Sequence, residues 1–349
     1  MIVAVLLGVT LVSSIHPGRD FDTHTREQMV AEYQTAAGQL QATARQEGVS
    51  GENGLLVAIG GAARRLTTQM IPINPIKAAT ESNVLQLIVF SLLLGIVLSV
   101  IGPVGEPLIR VFGSLFQAVM KLVEWIIWLA PIGVFFLVAH TVVDMGVAQL
   151  IGPLLLYIAV VLIGLALHGL VILPLILWLF GKTNPFVYMR QMRQSLMTAF
   201  GTDSSSATLP VTIECAEKMG GVSKKSAGFV LPLGATINMD GTALYEAVAV
   251  VFLFQCYGIH LSGVELAIIA ITATLAAVGA AGVPSAGLVT MVIVIEAVNN
   301  SLGTSVTNLP LAAVGIIIGV DRILDMCRTT VNVWGDAVGA KIITRIAPD

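Results

Sequence analysis

The stretch Ile316–Asp336, IIIGVDRILDMCRTTVNVWGD, sets strongly polar side chains into a largely apolar helix, five of them at regular steps. Asp321, Asp325, Arg328, Asn332 and Asp336 follow one another at steps of four, three, four and four. At 100° per residue they fall within about 80° of one helical face. Polar groups gathered on one face, with largely apolar residues elsewhere, describe a helix that turns a site toward protein and away from lipid.

Composition supplies the lipid. The 349 residues are 56% hydrophobic and 11% charged, with a mean hydropathy of +0.90, whereas a soluble domain carries roughly 25% charged residues. Several apolar runs exceed the ~18 residues that cross a bilayer, so the fold class is an all-α polytopic membrane protein. The net charge of −3 is thinly spread, and no basic stripe points to nucleic acid. Cys215, Cys256 and Cys327 lack any CxxC spacing and read as small apolar fillers.

Ile2–Ile15 is apolar but only about 21 Å long as a helix, short of the ~30 Å hydrocarbon core. It lacks the basic flank and cleavage site of a signal peptide, and reads as the outer end of a span whose beginning is absent. Residues 17–71 form a polar loop, with one amphipathic helix expected around Glu27–Arg45. Spans follow at Val84–Ile101, at Leu108–His140 with a bend at Ala130–Gly133, and at Ile151–Phe180. Basic clusters at Lys182, Arg190 and Arg193, at Lys218, Lys224 and Lys225, and at Lys341 and Arg345 place those points, and the C-terminus, on the cytoplasmic side.

Between Arg193 and Lys218 the chain starts and ends inside, yet each apolar arm is too short to cross. The segment therefore reads as a re-entrant hairpin with a polar tip at Gly201–Ser206, which must face protein or a water-filled cavity because lipid cannot satisfy its backbone. A second hairpin is expected at Val264–Val298 around the tip Gly279–Gly287. The single crossing Ser226–Tyr257 between them makes the second enter from the opposite side, an inverted repeat.

That crossing is interrupted at Asn238-Met-Asp-Gly-Thr242, with Glu246 beyond. Acids this deep cost about 2.5–3.5 kcal/mol each, so Asp240 and Glu246 need partners or a function. A capped kink explains the break alone; unwound carbonyls beside a carboxylate suit a dehydrated hard cation. Arg328 likewise has two readings. It either forms a buried structural ion pair with Asp325 or Asp321, which leaves Asn332 and Asp336 idle, or it grips an anionic ligand group with an acid one turn away for an ammonium. The second pair of roles describes an acidic amino acid. His168 reads as a packing histidine, and Trp125 and Trp128 as lipid or packing residues.

The strings GTDSSSATLP, LPLGATINMDGTALYE, GAAGVPSAG and DRILDMCRTTVNVWGD, in this order from Pro17 onward, resemble the dicarboxylate/amino acid:cation symporters, the glutamate transporter family. The resemblance implies a carrier rather than an enzyme, with two re-entrant helical hairpins, no cofactor, and sodium ions as co-transported ligands. It implies that Arg328 holds the substrate's side-chain carboxylate with help from Thr242, that Asp325 takes the ammonium, that Asn332, Ser205 and the Val283 backbone serve the main-chain carboxylate, and that Ser204 and Thr329 also belong to the substrate site. One sodium site would use Asp336, Asn332 and carbonyls at Gly234 and Asn238. A second would use carbonyls near Thr236 and at Ala277, Val278 and Ala280 with Met239, and a third Asp240 and Asn238. Glu246 matches a position that carries a proton in potassium-coupled members.

The implied function is secondary active symport of glutamate, aspartate or a dicarboxylate, driven by sodium or protons through an elevator movement in a plasma or inner membrane. Residues 1–16 would be a remnant helix, 17–71 an extracellular or periplasmic loop, 72–142 an oligomer-forming scaffold in a homotrimer, and 147–346 the transport domain with hairpins at about 194–218 and 264–298. The family has further spanning segments before His16, so the chain is expected to be N-terminally truncated; a non-transporting homologue and an ion channel are the rival readings. The family also places an extra arginine where this chain has Asp203 or Met326, which implies a more negative site here.

Overall fold

The computed structural model describes residues 1–19, 84–115, 153–280, 282, 284–302 and 308–347, with isolated positions between 20 and 83 and between 116 and 152. All regular structure among the described residues is helical. The bend near Ala130, the helix expected at Glu27–Arg45, Trp125, Trp128 and most of the segments 17–71 and 72–142 lie outside the described residues.

Helix α1 is Ile2–Ile15 and α2 is Val84–Ile101, continued past a 3-10 turn to complete the apolar span Leu93–Leu115. The next span, Leu154–Gly181, joins α3 (Pro153–Leu167) to α4 (Leu173–Ile176). Two π-helical turns, His168–Ile172 and Leu177–Gly181, widen it. A π turn leaves a carbonyl without its usual helical partner, and Trp334 Nε1 donates to the Gly169 carbonyl at 3.0 Å. Helix α5 (Pro185–Gln191) is opened by Asn184, whose Oδ1 accepts from the N–H groups of Phe186 and Val187, with Pro185 in the first position.

Two helix pairs occupy residues 193–218 and 263–301. The first joins α6 (Arg193–Thr202) to α7 (Ser205–Lys218); the second joins α10 (Gly263–Gly279) to α11 (Ala286–Ser301). Ser262 and Glu265 form a capping box that fixes the start of α10: the Ser262 N–H donates to the Glu265 carboxylate at 2.7 Å, and the Val264 N–H donates to Ser262 Oγ at 3.1 Å. Between the pairs, α8 (Lys224–Ile237) and α9 (Asp240–Cys256) form one apolar span. Its break is confined to Asn238 and Met239, so Asp240, Gly241 and Thr242 already begin α9.

The last helix, α12 (Gly315–Ile346), touches α3, α6, α7, α8 and α9. One apolar cluster gathers α1, α3, α9, α10 and α11 and reaches α12 as far as Leu324. A second gathers α4, α7 and α8 around Trp334, Ala337 and Val338. The polar residues from Asp325 to Asn332 occupy the interval between the clusters, so apolar packing holds α12 on both sides of them.

Candidate functional site

The turns of the two helix pairs meet beside α12. Ser204 Oγ donates to the Gly282 carbonyl at 2.6 Å, and the Ser206 N–H reaches the same oxygen at 3.2 Å. Beneath this junction lies a narrow cleft, with room for about one water-sized volume (about 10 Å³), lined by Asp203, Ser205, Met239, Thr242, Gly282, Ala286, Gly287, Asp325, Arg328, Thr329 and Asn332. Six of the eight expected substrate residues thus share one cleft. Ser204 is spent on the junction and on the N-cap of α7, where it accepts the Ala207 N–H at 3.1 Å. Val283 lies outside the described residues.

Arg328 is 1% exposed. Its Nε lies 2.6 Å from Asp325 Oδ1 and its Nη1 3.3 Å from Asp321 Oδ1, so it pairs with both acids of the ion-pair reading. The guanidinium carbon sits 4.4 Å over the Tyr245 ring, where the ring face attracts a cation. Asp325 also accepts the Ser285 N–H, at 2.6 Å on Oδ2, and so ties the second turn to α12. Close approach of α11 depends on Gly287, where a Cβ would stand 2.9 Å from Arg328 Nη1. Asn332 ties α9 into the site: Oδ1 accepts the Gly241 N–H at 2.7 Å, and Nδ2 donates to Thr242 Oγ1 at 3.1 Å.

The expected cation ligands form neighbouring groups. Asp336 Oδ1 accepts from Asn238 Nδ2 at 3.0 Å, and a Cβ at Gly234 would lie 2.7 Å from Asp336 Cγ, so these residues are packed against one another. Met239 lines the cleft. Thr236 lies near the end of α8, a helix that touches α10; Ala277 and Val278 stand in the last turn of α10 and Ala280 is its C-cap, whose N–H donates to the Ala277 carbonyl at 3.2 Å. Asp240 borders the same group: a Cβ at Gly335 would lie 3.2 Å from Asn238 Nδ2 and 3.4 Å from Asp240 Oδ2, and His168 Nε2 lies 3.0 Å from that oxygen. Glu246 lies off the cleft, fully buried, and accepts a hydrogen bond from Thr290 of α11.

Two readings need correction. His168 is not a packing residue alone: the first π turn begins at it, and its imidazole meets Asp240. Nor does Asp203 add an unopposed charge, because Arg322 Nη1 lies 3.0 Å from its Oδ2 and Thr329 Oγ1 donates to its Oδ1 at 3.2 Å. Arg322 lies off the Asp321–Asp336 stripe and Tyr245 on another helix, so the stripe alone points to neither. Arg322 and Thr329 stand seven residues apart, within about 20° of one another on a second face of α12, and that spacing was available in the sequence.

The chain matches a profile described as the sodium:dicarboxylate symporter family over residues 1–346. It is 44% identical to excitatory amino acid transporter 1 of Homo sapiens, the match covering 81% of this chain and 50% of that protein. An excitatory amino acid transporter of Caenorhabditis elegans is 39% identical, with 98% and 70% covered. The neutral amino acid transporter B(0) of Mus musculus is 46% identical, with 75% and 46% covered. The chain thus spans about half the length of the human and mouse relatives.

Proposed function

Because the chain belongs to the sodium:dicarboxylate symporter family, we propose that it serves sodium-coupled transport of an acidic amino acid or dicarboxylate across a membrane. Relatives named for excitatory and for neutral amino acids are similarly close, so overall identity does not choose the substrate. Arg328 does. A buried guanidinium set over an aromatic ring, in a cleft bounded by two turns, suits a ligand carboxylate in bidentate geometry. This observation carries the proposal.

In the proposed cycle the ligand's side-chain carboxylate takes Arg328, with Thr242 beside it, and its ammonium takes Asp325. Asn332, Ser205, Thr329 and backbone at the turns hold the main-chain carboxylate. Asp325 now holds both Arg328 and Ser285; an ammonium competing for it would loosen the second turn from α12, linking occupancy to the position of that turn. Sodium would bind at Asp336, Asn332, Asn238 and Gly234, at Thr236 and Met239 with the end of α10, and at Asp240. Coupling requires the ligand to bind tightly only with the cations present.

On this reading the two helix pairs are re-entrant hairpins, residues 147–346 slide as a unit against a scaffold at 72–142 in a homotrimer, and the C-terminus is cytoplasmic. Glu246 is the candidate proton carrier, and Glu246→Gln should then flatten the pH dependence of uptake; an unaltered pH profile would remove it from that role. The functional test is uptake of labelled aspartate or glutamate into vesicles carrying the protein. Accumulation should follow an inward sodium gradient and stop when the gradient is collapsed, and uptake indifferent to the gradient would reject sodium coupling.

A further inference from the structure

Asp203 sits at the turn between α6 and α7 in left-handed backbone (φ 54°, ψ 33°), a region that Asp enters more readily than most non-glycine residues. Its carboxylate is buried and lines the cleft. Arg322 Nη1 lies 3.0 Å from Asp203 Oδ2, and Asp325 and Arg328 line the same cleft. Arg328 is already divided between Asp325 and Asp321. Left uncancelled, Asp203 would repel any carboxylate brought to Arg328, and in a buried site such repulsion is poorly screened.

Arg322 cancels it from outside. The guanidinium is 3.0 Å from Asp203, its side chain stays 31% exposed, and it is not among the residues lining the cleft. We propose that Arg322 sets the charge preference of the site: by neutralising Asp203 from behind, it lets the cleft accept an acidic ligand in preference to a neutral one of the same shape. This rests on the functional reading above and deepens it. Arg322 is a positioning residue that acts through Asp203 and touches no ligand.

A mechanical latch, tying the α6–α7 turn to α12, would use the same contact, and Asp203→Asn separates the two. Removing the acid breaks the ion pair but also removes the charge that needs cancelling. The experiment measures sodium-supported binding of labelled aspartate, and its displacement by asparagine as the neutral isostere, for the wild-type chain, R322Q, D203N and D203N/R322Q. R322Q should weaken aspartate by about tenfold and shift preference toward asparagine. D203N and the double variant should stay within about threefold of wild type.

D203N losing as much as R322Q would show a latch and overturn the proposal, as would an unchanged R322Q. If R322Q alone fails to fold, a folded double variant still decides: retained aspartate affinity supports charge cancellation, and lost affinity rejects it. A wild-type chain that binds no acidic amino acid would overturn the functional reading itself, an outcome distinct from these.

Discussion

Arg328 is the residue on which the site turns, and its surroundings show why it cannot be replaced cheaply. It is buried against Asp325, Asp321 and the Tyr245 ring, and removing one partner of a buried charge cluster leaves the others unpaired. Arg328→Ala should cost aspartate about 2–5 kcal/mol of binding, ~30-fold or more, while neutral amino acids keep or gain affinity. Isothermal titration with both ligand classes checks this, and retained aspartate affinity would remove Arg328 from its assigned role. The same scale shows where sequence reading stops. The Asp321–Asp336 stripe was legible because helical geometry alone brings its members together. The contacts Arg322–Asp203 and His168–Asp240 join residues 119 and 72 positions apart, and no local spacing announces them.

At the scale of elements, the paired helices were legible from basic clusters and from apolar arms too short to cross, whereas the capping contacts emerge only in the structure. Ser262 and Glu265 cap α10, Ser204 caps α7, and Asn184 with Pro185 opens α5. The two π turns were likewise not legible, since an extra residue in a helical turn leaves the apolar run uninterrupted and is stabilised by distant partners such as Trp334. Packing of α9 on α12 depends on one small residue: a Cβ at Gly241 would stand 2.5 Å from the Arg328 carbonyl oxygen and 3.0 Å from its Cα. Backbone cannot swing aside as a side chain can. Gly241→Ala should therefore cost about 1–3 kcal/mol of stability or more, read as a lowered thermal midpoint in detergent; an unchanged midpoint would mean that the two helices tolerate separation.

At the scale of the molecule, two apolar clusters clamp α12 above and below a polar interval, and two turns close over that interval from their own helix pairs. The arrangement gives ligand and cation groups a common frame: Asn332 holds both Gly241 and Thr242, and four residues further along α12 Asp336 holds Asn238 at the break. Under the proposed assignment, order at the cation groups would be transmitted to the cleft through α12 and the start of α9. The most direct measurement of this linkage is equilibrium binding of labelled aspartate to the purified protein over a series of sodium concentrations, with choline replacing sodium. The arrangement predicts an affinity that rises steeply with sodium and a sodium affinity that rises with aspartate by the same factor; aspartate affinity that is indifferent to sodium would contradict it.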